Sequence, residues 1–234
     1  MTRPAVLAQL ARAIKAAALY LLGSRAVKSV DGYVNAYVVA ITEVVTDLFN
    51  GDAVRVDVGG VMRRLIASEA EGAYIQGMIE SGEFENESEA EDALTDSDRE
   101  IISTWQAEQK EHVKQFTLDA EEAARALADG SPNTEAQAAI LARIDLWGLS
   151  LRDLASAGKM NALVNAKDPY VTWRYGDTDH CETCQMLNGK RERLSWFVEQ
   201  GYIPQENASE TLDCRGYNCQ CELVNDRGKR VLPA

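Results

Sequence analysis

Residues 180–184 read His180-Cys181-Glu182-Thr183-Cys184, and residues 214–221 read Cys214-Arg215-Gly216-Tyr217-Asn218-Cys219-Gln220-Cys221. Together they hold all five cysteines of the 234-residue chain. Two sulfurs three positions apart, met by a second sulfur group thirty residues on, bring four soft donors to one point. A closed tetrahedral zinc site requires this, with sulfur about 2.3 Å from the ion. Cys181-x-x-Cys184 forms one arm, expected as a turn whose sulfurs converge. The other arm is drawn from Cys214, Cys219 and Cys221. The preferred set is Cys181, Cys184, Cys214 and one of the last two, because Gly216 permits a tight turn between Cys214 and Cys219. His180 can replace a sulfur, although its adjacency to Cys181 makes ligation by both awkward. Four sulfurs close the coordination shell, which argues for a structural ion rather than a catalytic one. Disulfides and free buried thiols are the competing readings, and four thiolates accept iron as well as zinc. A redox role for the pair is disfavoured, because Asp177, Asp179 and Glu182 should raise its thiol pKa.

Outward from the cysteines, residues 169–234 have a mixed texture. Tyr170-Val171-Thr172-Trp173-Arg174-Tyr175 is rich in strand formers, and residues 194–200 read as a short helix beginning at Ser195. Residues 221–224 and 229–232 flank Asn225-Asp226-Arg227-Gly228 as a hairpin. Lys190-Arg191-Glu192-Arg193 reads as a solvated basic turn, with contact to phosphates or an acidic partner as the alternative. Trp173 and Trp196 are the expected miniature core. So short a segment buries little surface by itself and needs a staple.

Residues 1–168 read as helical. Val30, Val34, Tyr37, Ile41, Val44 and Leu48 form one apolar stripe, ended by Asn50-Gly51-Asp52, with Gly51 suited to a left-handed position. Residues 53–58 are expected to be extended, and a further helix follows Gly59-Gly60 to about Glu80. Residues 80–100 hold ten acidic side chains against Arg99, an exposed linker or solvated helix face. Ile102, Trp105, Val113 and Phe116 resume helical order. Thr117 and Asp119 are candidate caps for a following helix that stops at Gly130-Ser131-Pro132. Thr134-Glu135-Ala136-Gln137 is a capping-box sequence opening a helix with Ile140, Ile144, Trp147, Leu151 and Leu154 on its buried face. It ends near Asn165, before Pro169. The expected fold is mainly α: a helical part, residues 1–168, then a small α+β zinc-stapled module, residues 169–234.

The chain is 46% hydrophobic and 26% charged, with a net charge of −13. Residues 1–64 carry a net +3, residues 65–170 a net −14 and residues 171–234 a net −2. So acidic a middle repels nucleic acid, and any weak DNA contact is expected from the slightly basic N-terminal part or from a local patch. In residues 5–22 an apolar run is broken by Arg12 and Lys15, which favours an amphipathic helix over a secretory signal. Neither a membrane span nor a small-molecule substrate is expected. The reduced thiols fit synthesis in the cytoplasm. His112, on a charged helix, reads as a surface histidine. No phosphate-binding loop and no His-Glu-x-x-His occurs, and no catalytic residues are assigned.

The stretch from Trp173 through His180, Cys181, Cys184, Leu187 and Gly189 to Cys219 and Cys221 resembles the C-terminal signature of minor head proteins of tailed bacteriophages. These are the head morphogenesis proteins related to the F protein of phage Mu. The likeness spans residues 130–224, with motif support over 173–221. That family commonly has His-Pro shortly before the last cysteines, where this chain has Leu212-Asp213-Cys214, so Cys214 is the expected stand-in for the histidine. The resemblance implies a non-enzymatic virion component associated with portal or inner-capsid proteins, acting in head assembly, DNA packaging or ejection. It would be in the host cytoplasm during assembly. The alternatives are a zinc-ribbon-like nucleic-acid- or protein-binding protein of bacterial origin, and a phage toxin or hydrolase fused to a metal module.

Overall fold

A computed structural model describes residues 29–129, 134–206, 209–217 and 219–232. The readings made on residues 5–22, on Gly130-Ser131-Pro132 and on Asn218 lie outside the described residues. Five helices come first: α1 Val30–Phe49, α2 Arg55–Glu80, α3 Glu87–Asp92, α4 Asp96–Ala128 and α5 Thr134–Ala166. The rest is α+β: β1 Tyr170–Arg174, α6 Glu182–Leu187, β2 Arg191–Arg193, α7 Leu194–Glu199, β3 Glu222–Val224 and β4 Arg230–Leu232. The fold is therefore mainly helical, followed by a small α+β region that carries the clustered cysteines. Two compact units divide the chain: one up to Gly72 plus Glu100–Leu151, the other Ala73–Arg99 plus the chain from Arg152 on. Their boundaries fall inside α2, α4 and α5, whereas residue 168 marks the change from helices to strands.

In the first unit, Ser29 caps α1 by accepting from the Gly32 amide at 3.2 Å. The buried stripe of α1 is Val30, Tyr33, Val34, Tyr37, Ile41, Val45 and Leu48. Val45 replaces the expected Val44, because successive steps of three and four let either neighbour face inward. Gly51 takes the expected positive φ of 76°. Residues 53–58 are not extended: α2 begins at Arg55 and runs through Gly59-Gly60, because burial of Val58 and Met62 outweighs the weak helix preference of two glycines. Helix α4 is likewise unbroken. Thr117 does not cap a new helix; its hydroxyl donates back to the Lys114 carbonyl at 3.1 Å, while Phe116 packs edge-on against Trp147 with ring centroids 5.8 Å apart. Trp105 donates through Nε1 to Ser150 Oγ at 2.9 Å. His112 is exposed, as expected.

In the second unit, α2 and α5 touch backbone to backbone. A Cβ on Gly77 would overlap the Ala155 carbonyl, and one on Gly158 would overlap the Tyr74 carbonyl. Gly158→Ala should therefore destabilise: the helix-propensity gain of about 1 kcal/mol is set against an overpacking cost of about 1–3 kcal/mol, with no flexible side chain to yield. A lower urea midpoint is the expected reading, and an unchanged one would contradict the close approach.

The acidic stretch is only partly solvated. Ala90, Leu94 and Asp98 are buried, and Asn86 caps the short α3 by accepting from the Glu89 amide. Thr95 and Asp98 form a capping box at the start of α4. Asp98 Oδ2 accepts from the Thr95 amide at 2.8 Å, and Thr95 Oγ1 accepts from the Asp98 amide at 3.2 Å. Asp98 Oδ1 also accepts from the Tyr74 hydroxyl and from Asn161 Nδ2 at 3.1 Å. Burial pushes the Asp98 carboxyl up, but the hydrogen bonds from Thr95, Tyr74 and Asn161 outweigh it and hold it below the usual carboxylate range.

A folded-state pKa depressed in this way contributes stability above the unfolded carboxylate value of about 3.9. That contribution is lost as pH falls through the lower folded value. Asp98→Asn should lower the melting temperature at neutral pH and flatten its decline below about pH 4. Melting curves across pH test this, and an identical acid limb in both proteins would refute it.

The sheet runs β2-β1-β3-β4, all antiparallel. Tyr170 pairs with Arg193 and Thr172 with Arg191, so the basic cluster is an edge strand rather than the expected turn. Trp173 pairs with Leu223, and a bulge lies between Leu223 and Val224. Alternation along β1 points Val171 and Trp173 inward. They meet Leu187, Leu194, Phe197, Leu212, Leu223 and Leu232, together with Leu163 of α5. Trp173 stacks on Phe197 at 6.3 Å, while Trp196 packs edge-on against the same ring, only partly buried. Helix α7 starts at Leu194, one residue before the expected position. Asp168, left-handed with φ 39° before Pro169, caps α7 from a distance by accepting from the Ser195 amide and hydroxyl, both at 2.8 Å.

Candidate metal centre

The five cysteines converge from two loops. Cys181 is the N-cap of α6, its sulfur accepting from the Cys184 amide at 3.5 Å. The first arm is thus the start of a short helix rather than a turn. Cys184 and Cys221 are buried, and Cys181, Cys214 and Cys219 are half-buried. Gly216, at φ 76° and with its α-carbon against the Glu206 carbonyl, closes the turn between Cys214 and Cys219.

The sulfurs form two triads, Cys181–Cys184–Cys214 and Cys184–Cys219–Cys221, each with all ligand atoms within 4.8 Å of one another. Cys184 belongs to both. Zinc with sulfur at about 2.3 Å needs sulfurs about 3.8 Å apart, so small contractions suffice within each triad, and a fourth sulfur would have to move in from the other triad. All five positions named from the sequence are in the cluster. His180 is in neither triad; its ring stacks on Tyr175 with centroids 3.7 Å apart, and its Nδ1 is 3.7 Å from Cys221 Sγ.

The electrostatics suit a cation. Burial pushes the Cys184 thiol up, reinforced by Cys181 and Cys219. Cys214 is raised chiefly by burial, and Cys219 by its hydrogen bond with Cys221 and then by burial. Cys221 is lowered, first by Cys219. For Cys181, burial acts upward, but hydrogen bonds from Cys184 and Cys214 prevail and lower it. Cys181 is thus lowered where carboxylates were expected to raise it, through hydrogen bonds from Cys184 and Cys214. Packed thiols that share protons in this way release them to a metal ion. An open cavity of about 670 Å³ adjoins Cys181, Cys184, Cys214 and Cys219, with Asp177 and Asp179 at its rim.

One contact was not legible in the sequence. Asp213 Oδ2 accepts from the Thr183 amide at 2.9 Å and from its hydroxyl at 2.6 Å, tying the first arm to the second beside Cys214. An acidic residue before Cys214 and a threonine inside Cys-x-x-Cys were the only signals, and neither names its partner. The cysteine cluster can hold a metal ion. Among the described residues, no helix is long and apolar enough to cross a membrane. Comparison with known proteins returns no matching family model, no matching curated protein and no matching solved structure.

Proposed function

We propose that this chain is a non-enzymatic minor head protein of a tailed bacteriophage, its C-terminal module stapled by one structural zinc ion on four of the five cysteines. The observation that carries the reading is the meeting of Cys181 and Cys184 with Cys214, Cys219 and Cys221 around Cys184. It brings together the two halves of the stretch that resembles the signature of head morphogenesis proteins. Thiolates select zinc over the harder magnesium or calcium, and a four-thiolate shell leaves no position for a reacting group. The long helices would supply the surface that engages portal or inner-capsid proteins during head assembly, DNA packaging or ejection.

Coexpression with the portal protein encoded in the same genome tests the assignment. Comigration of the two on size exclusion is expected. A chain that never comigrates with portal or capsid proteins would remove the head assignment and leave the metal site standing.

A further inference from the structure

The four-stranded sheet has an outer face that neither the metal centre nor the module's core uses. Alternation along β1 puts Tyr170, Thr172 and Arg174 opposite the buried Val171 and Trp173. The register sets Arg193 beside Tyr170, Arg191 beside Thr172, and Arg230 beside Val224. Arg191 and Arg193 thus flank a tyrosine that is 41% exposed, with exposed Arg174 at the far end of β1 and exposed Arg230 two strands away on β4. The Arg191 and Arg193 guanidinium carbons lie 4.5 and 4.2 Å from the centre of the Tyr170 ring. Arg174 pairs with Glu222 and Arg191 with Asp226, but Arg193 and Arg230 are in no ion pair among the described residues.

The charge is segregated. Residues 171–234 hold eight basic and ten acidic side chains. Seven of the basic ones lie on or beside the strands, with only Glu192, Glu222 and Asp226 among them. The sheet therefore carries about +4 inside a chain of −13. Arginine and tyrosine together are the composition of an interface core.

We propose that this arginine-bearing face docks the acidic α3 segment of a second copy of the chain, so that copies associate head to tail. Glu85, Glu87, Glu89, Glu91, Asp92 and Asp96 are exposed, and none of them is in an ion pair among the described residues. Buried Ala90 and Leu94 hold the segment in place. Glu87 and Glu91 sit four residues apart on α3, a rise of about 6 Å. Arg191 and Arg193 sit two apart on β2, about 6.7 Å, so the two spacings match once Arg191 shares its guanidinium between Asp226 and the incoming carboxylate. Among the described residues no ion pair joins the two surfaces within one chain, and the two are always present in equal number. A nucleic acid would bring its phosphates against the −14 of residues 65–170, whereas docking a second copy discharges both surfaces. Such a contact is heterologous, and repeated it gives a ring or an open chain.

Ionic strength reads the contact. At about 0.1 M the Debye length of about 10 Å screens repulsion between whole copies but spares pairs in contact, and at about 1 M, with a length of about 3 Å, the pairs are screened too. Light scattering should give a mass well above 25.7 kDa at the lower salt and 25.7 kDa at the higher. E87K/E91K and R191E/R193E should each remain at 25.7 kDa alone and regain the larger mass when mixed, since each then meets the opposite charge. If circular dichroism shows that R191E/R193E is unfolded, R193Q/R230Q takes its place with the same expected loss. A wild-type chain that stays monomeric, or a mixture that fails to restore the mass, overturns the proposal. So does an R191E/R193E protein that still self-associates but no longer retains a single-stranded oligonucleotide, which would give the face to phosphates.

Discussion

Cys184→Ser should leave the protein without bound metal and its C-terminal module without a fixed tertiary structure. Both sulfur triads pass through Cys184, so its loss leaves neither triad whole and removes the sulfur that joins them. The ordering energy that a structural zinc supplies is of order 10 kcal/mol or more in small domains, larger than any other single contribution available to the module. Metal analysis should give about one zinc per wild-type chain and close to none in the variant. Near-UV circular dichroism should show loss of the aromatic signal from Trp173 and Phe197. Serine at Cys181, Cys214, Cys219 and Cys221 in turn would find the spare sulfur, because only one of these four should leave the metal in place. A Cys184→Ser protein with full zinc would mean that the ion lies elsewhere.

Trp173→Ala should cost about 3–5 kcal/mol, the usual range for emptying a buried tryptophan site. Trp173 is fully buried, stacks on Phe197 and sits on the central strand β1, so neighbours on both sides lose contact at once. Among the described residues its Nε1–H has no hydrogen-bond partner. Trp173→Phe should cost less than alanine because it keeps a ring in the core; both changes remove the unsatisfied donor, which offsets part of each loss. Urea unfolding of both variants decides the matter, and equal losses would refute the argument from packing.

What could be read in the sequence depended on whether one residue pattern decided the conformation. The stripe Ile140, Ile144, Trp147, Leu151 and Leu154 is buried throughout, because a sustained helical period has no competing interpretation. The cysteine spacings likewise sufficed for the site, since soft donors so placed have few other uses. Residues 53–58 misled because Val54, Val56 and Val58 alternate as in a strand, whereas burial of Val58 and Met62 in α2 decided the outcome. Thr117 and Asp119 looked like caps, yet a hydroxyl can also bond back to its own helix, and the burial of Phe116 kept α4 continuous. The strand Arg191-Glu192-Arg193 lacks any β-branched residue; its pairing with β1 is a tertiary fact. The Asp213–Thr183 contact escaped for the same reason, two common residues thirty positions apart.

Both outer strands of the sheet, β2 and β4, are only three residues long and carry arginine. A foreign strand arriving at either margin would find few free amides and carbonyls, screened by bulky cationic side chains. The module can therefore be crowded at high local density without its sheets fusing edge to edge into fibres, and copies remain free to meet through their faces instead.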